Sequence, residues 1–212
     1  MGKIGVIGCV GVLVVALIVG MWGVGAYNGL VRLDQEVQGQ WAQVQNVYQR
    51  RADLVPNLVE TVKGAAAFEK DTFIAVAEAR SKVGQVSGQA LQNVTSDPQA
   101  FQKFQEAQAG LSSALSRLMV VVERYPELKA NQNFRDLQVA LEGTENRVSV
   151  ERNRYNEAAQ AYNTARLRFP AVVFANVLGM REKAYFKAAA GAEKAPTVNF
   201  SFGASPAPAE QK

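Results

Sequence analysis

The chain has 212 residues, 48% hydrophobic and 20% charged, with 23 basic and 19 acidic side chains and a formal net charge of +4. That length accommodates one domain with a real core, and the charges are interspersed without a Lys/Arg block of five, which describes a mixed-charge surface rather than a nucleic-acid footprint. There is no His and a single Cys, Cys9, which excludes His-dependent acid–base and nucleophile systems, zinc sites and internal disulfides.

From Ile4 to Ala26 (IGVIGCVGVLVVALIVGMWGVGA) the sequence is apolar almost throughout, and no charge falls between Lys3 and Arg32. About 20 such residues cross a bilayer as a helix, so the segment reads as a membrane anchor, with Ile4, Val15 and Trp22 along it. A removable signal ending at Val24-Gly25-Ala26 is the competing reading, but its hydrophobic region is only about 7–15 residues long. Cys9 lies inside the run as an unreactive membrane residue.

Beyond the anchor the hydrophobic period becomes helical and close to seven. Leu30, Val37, Val44 and Leu58 form one row and Trp41, Tyr48, Val55 and Val62 the next, a stripe of coiled-coil type that predicts a helix leaving the membrane without a break. Arg51 occupies the first row, so it either snorkels out or pairs with a carboxylate on a neighbouring helix. Pro56 removes one backbone hydrogen bond and predicts a kink. A second helix is expected from Phe68 to about Leu91, with Phe68, Val76, Ala79, Val83 and Val86 inward, then a loop over Asn93 to Asp97. Ser96 or Asp97 caps a third helix with Pro98 at its first position. Its buried face is Phe101, Phe104, Gln108, Leu111, Leu115, Leu118 and Val122, and it stops at Tyr125-Pro126.

The fourth helix, from about Asn131 to Phe169, carries a strict seven-residue series, Phe134, Leu141, Val148, Tyr155, Tyr162 and Phe169, and repeats the dipeptide Tyr-Asn at Tyr155-Asn156 and Tyr162-Asn163. At this spacing the aromatic stripe reads as core rather than as a ligand wall. Pro170 ends or kinks the helix, a short apolar segment leads to Leu178-Gly179, and a last helical piece is expected over Arg181 to Ala190. Residues 191–212, rich in Ala, Pro and Ser, read as a largely disordered tail, apart from Val198 and Phe200, which can tuck onto the bundle. The expected fold is therefore all-α: an anchor over residues 1–26 followed over 27–190 by an antiparallel up-and-down bundle of about four long helices.

The strings WAQVQNVYQRRADLVPNLVETVKGAAAFEK (Trp41–Lys70), ERYPELKANQNFRDLQVALEGTENRVSVERNRYNEAAQAYNTARLRFP (Glu123–Pro170) and PTVNF (Pro196–Phe200) resemble the LemA family. The resemblance implies a bacterial membrane protein with a transmembrane helix and an up-and-down bundle, and it carries no established biochemical activity and no cofactor. It also implies a short N-terminus outside and a bundle in the cytoplasm. The sequence departs from the family at Phe68, where many members have His before Glu, which argues against a metal or acid–base role there.

Polar residues at successive turns, Arg50, Arg51, Asp53 and Asn57, face the long fourth helix, where Glu142, Glu145 and Arg152 can complete a buried network that either sets register or binds a ligand. With no Glu-x-x-His pair, nucleophile–base pair or phosphate-cradling glycine loop, an enzyme is not expected. Two readings stand. One is a scaffold in the bacterial plasma membrane that binds another membrane-associated protein or copies of itself. The other is an extracytoplasmic sensor-like bundle with a small ligand between its helices.

Overall fold

A computed structural model describes residues 3–64, 66, 69–89 and 94–187, with the side chains of 3–10 and 87–89 outside the description. The first helix, α1 (Lys3–Lys63), runs on from the apolar segment into the polar part of the chain. Its 61 residues measure about 90 Å at 1.5 Å per residue, and it is long and apolar enough to cross a membrane.

Pro56 lies inside this helix. Because Pro has no N–H, the carbonyl of Ala52 one turn earlier loses its intrahelical donor. Arg80 supplies a replacement: its Nε donates to the Ala52 carbonyl at 3.1 Å. Arg80 belongs to α2 (Lys70–Gln89), so the acceptor that the proline exposes ties α2 to α1.

A 3-10 turn (Val94–Ser96) leads to α3 (Pro98–Glu123). Here Asp97, not Ser96, is the cap, accepting from the amides of Gln99 and Ala100, with Pro98 in the first turn. After the short α4 (Pro126–Ala130), Asn131 caps α5 (Gln132–Leu167) by accepting from the amides of Asn133 and Phe134. The last helix among the described residues is α6 (Ala171–Val177).

Every regular element among the described residues is a helix, and none is a strand. α1 packs along α5, and α2 along α3. The α1–α5 pairing runs in opposite chain directions: Trp41 meets Tyr155 at 5.5 Å between ring centres, while Arg51, ten residues later, meets Glu145, ten residues earlier. Both rows read from the sequence of α1 are buried, as is the whole face assigned to α3. Phe73 also enters the core of α2, three residues before Val76 on the same face.

The core forms two clusters. The one far from the apolar segment contains Val55, Leu58 and Val62 of α1, Leu111 to Val122 of α3, and Phe134 and Leu141 of α5. The nearer one contains Val37 to Tyr48 of α1, Phe101 and Phe104 of α3, and Val148 to Tyr162 of α5. Its centre is aromatic: Trp41 stands edge-on to Phe104 and Tyr155 at 5.0 and 5.5 Å, arrangements that add to simple area burial.

Two expectations are corrected. Phe169 does not continue the buried stripe of Tyr155 and Tyr162: α5 ends at Leu167, and Phe169 lies in the turn before α6, exposed to solvent. Nor is there a helix over 181–187. Gly179, at φ +66°, turns the chain, and Met180 to Lys187 follow without helical structure because their backbone groups bond to side chains of α5 instead of to one another. Such tertiary bonds outweigh the small helix preference of the segment. Phe68, Leu91, residues 188–190 and the tail from 191, including Val198 and Phe200, lie outside the described residues.

Candidate functional site

Arg51 sits between the two core clusters, its side chain 2% exposed. One Nη donates to Ser112 Oγ at 2.8 Å and to Glu145 Oε1 at 3.0 Å. The other donates to the Gln108 carbonyl at 3.2 Å and to the Gln108 side-chain oxygen. The guanidinium lies 5.0 Å from the centre of the Tyr48 ring. Three helices therefore close on one cation, at the level where a further apolar layer would otherwise stand. The Glu145 carboxylate is 41% exposed, so its charge stays partly hydrated while that of Arg51 does not. Such a layer costs stability relative to an apolar one but fixes the register of the helices around it.

The other residues of the sequence-derived network take different places. Arg152 donates to the Lys187 carbonyl at 3.0 Å and stacks on the Phe186 ring at 4.7 Å. Burial raises the Tyr48 phenol above its ordinary pKa, partly offset by the positive charges of Arg152 and Arg51. Arg50, Asp53, Asn57 and Glu142 are exposed. Asp53 accepts from Gln49, and Glu142 from Gln138, each within its own helix. Gln108 had a signal in the sequence, because it falls on the buried row of α3. Ser112, four residues on, had none.

Above Arg51 opens a cleft of about 1020 Å³ between α3, α5 and the segment 182–187. Arg51, Tyr48 and Glu145 line it together with Arg152, Glu106 and Gln105, so both signs of charge and several amides face the space. Among the described residues no group of three His, Cys, Asp or Glu side chains is placed to hold a metal ion.

One wall of the cleft is the segment 182–187, which the repeated Tyr-Asn dipeptide holds in place. Asn163 accepts from the Lys183 amide at 2.8 Å and donates to the Lys183 carbonyl at 2.9 Å. Asn156 does the same for Phe186, at 2.9 and 3.0 Å. The spacing follows from geometry: seven residues of α-helix rise about 10.5 Å, and three residues of extended chain cover about 10 Å. Tyr155 donates to the Ala184 carbonyl at 2.9 Å, and the Ala184 amide donates to Thr95 of the 3-10 turn. The segment thereby delivers Phe186 to the aromatic cluster, 4.8 Å from Phe101, and buries Lys183, whose ammonium meets Asp34 Oδ1 at 2.6 Å and Ser96 Oγ at 3.0 Å.

The family profile described as LemA family matches residues 40–200. Magnetosome protein MamQ of Magnetospirillum gryphiswaldense is 26% identical over 174 residues, which cover 76% of this chain and 64% of that protein. Magnetosome protein MamQ 2 of Paramagnetospirillum magneticum is 27% identical over 175 residues, with the same coverage of each chain. The chain thus spans just under two thirds of the length of these curated relatives.

Proposed function

This chain belongs to the LemA family, and from that premise we propose that it is a membrane-anchored interaction protein: an antiparallel four-helix bundle on a single-pass helix, binding a protein segment in the Arg51 cleft. The observation that carries this reading is the cleft itself. It is open and of mixed charge, with Arg51 and Glu145 in its floor and Arg152 and Glu106 lining it, and beside it the bundle already grips an extended backbone through Asn156 and Asn163. A surface that recognises polypeptide through backbone bonds and paired charges suits a protein partner better than it suits catalysis. The bundle is assigned to the cytoplasm of a bacterial cell, and no reaction is assigned to it.

The test is a photo-crosslinking amino acid at Gln102, in the wall of the cleft, in the full-length protein in cells. A discrete protein adduct that disappears with Arg152→Glu supports the reading, whereas no adduct, or one indifferent to that charge reversal, rejects it. The competing small-ligand reading has the cleft volume in its favour, since about 1020 Å³ sits at the upper end of ordinary ligand pockets. Replacing Cys9 by Ala and probing a cysteine at exposed Glu127 with an impermeant maleimide in intact cells bears on both. Labelling before lysis puts the bundle outside and favours the sensor-like reading.

A further inference from the structure

Along the part of the apolar run whose side chains are described, only Gly23 is buried, and what covers it is α6. A Cβ added at Gly23 would stand 2.7 Å from Phe174 Cε1, so the ring lies directly on the glycine backbone. Gly23 is three residues before the end of the apolar run at Ala26, which places this contact about 4.5 Å inside that end. If residues 4–26 cross a bilayer, α6 sits at the boundary between acyl chains and headgroups.

The exposed residues around α6 match that depth. Val173 and Val177, one helical turn apart, Leu178 after the helix, and Leu167 and Phe169 before it are all exposed, Phe169 by 79% and Val177 by 80%. Five large apolar side chains exposed within twelve residues are a concentration that soluble surfaces avoid. Arg168 within this stretch and Arg181 just after it, both also exposed, supply cations for lipid phosphates.

We propose that Leu167 to Leu178 is a second membrane-contacting element: α6 rests in the lipid interface against the anchor, its apolar side in the acyl boundary and Arg168 and Arg181 at the phosphates. Its depth corresponds to that of surface-lying helices, whose apolar faces sink roughly 5–10 Å. The base of the bundle is then held to the bilayer at two places, the anchor and α6, and its tilt is fixed by both. This rests on the anchor reading of α1, which the experiment checks separately.

The full-length Cys9→Ala protein, in nanodiscs of phosphatidylcholine and phosphatidylglycerol, receives single nitroxide labels at Val177, at Phe169, at Val15 within the anchor, and at Glu127 at the far end. Collision with oxygen is compared with collision with a water-soluble nickel complex. The expected result is that Val177 and Phe169 resemble Val15, open to oxygen and closed to nickel, while Glu127 shows the reverse. Val177 and Phe169 matching Glu127 while Val15 reports lipid overturns the proposal alone. A label at Val15 open to nickel overturns the anchor reading. Labels at Val177 and Phe169 closed to both reagents overturn the lipid assignment in favour of cover by a second protein copy.

Discussion

Replacing Asn163 by Leu keeps the approximate shape of the side chain and removes its hydrogen bonds, leaving the Lys183 amide and carbonyl without partners; both bonds are buried. Each orphaned buried group costs about 1–3 kcal/mol, so the docked state of residues 180–187 loses about 2–6 kcal/mol. The segment can release without unfolding the helices, so the loss is local. At the lower limit of about 2 kcal/mol, with tenfold per 1.4 kcal/mol, amide exchange in the 180–187 peptide rises about 30-fold. Hydrogen-exchange mass spectrometry on the full-length protein reads this directly, with α5 peptides around Leu141 as the unchanged reference. Unaltered exchange over 180–187 refutes the reasoning; so does a parallel rise in the Leu141 peptides, which means that the segment and the core open as one unit.

Three further outcomes are expected. Arg51→Ala, which empties a buried cationic site bonded to two helices, lowers unfolding stability by about 3 kcal/mol, whereas Glu145→Gln, at a carboxylate 41% exposed, costs less than about 1 kcal/mol; equal losses in denaturant titration contradict the unequal burial. Arg80→Met leaves the Ala52 carbonyl unpartnered only while residue 56 lacks an N–H, so in a double-mutant cycle with Pro56→Ala its cost shrinks by at least about 0.5 kcal/mol, and strict additivity disproves the link. Burial raises the Tyr155 phenol above the ordinary tyrosine value, so its contribution is fully present below about pH 10 and is lost as pH rises through the folded-state pKa. Tyr155→Phe should therefore flatten the decline of thermal stability above about pH 10 without abolishing it, because Tyr48 and Tyr162 are raised in the same direction; an unchanged decline removes Tyr155 from the account.

The helices were legible because a seven-residue apolar period has one physical cause, and every row it marked on α1 and α3 is buried. Arg51 stood out as a charge on such a row, and Gln108 lay on the facing one. The strapped segment was hidden for the opposite reason. Asn156 and Asn163 sit one position off the stripe of α5, and they bind backbone groups, which every residue carries and no sequence marks. Phe169 misled because the period persists past the point where Pro170 ends the helix. Arg50, Asp53, Asn57 and Glu142 share turns with the buried layer but point to water; composition along a helix reveals which turn a residue occupies more readily than which side of it.

The unbroken course of α1 from the apolar segment through the Arg51 layer has a mechanical consequence. Twenty-five residues of helix separate Ala26 from Arg51, so the Arg51 layer stands about 38 Å beyond the end of the apolar run, and from Leu30 onward that same helix is part of the core. A flexible tether would let the domain wander and meet partners from any direction. A rod built into the core holds the cleft at one distance and one compass bearing from the apolar run, so on the proposed anchor reading an occupant would be selected by its height over the bilayer as well as by its chemistry.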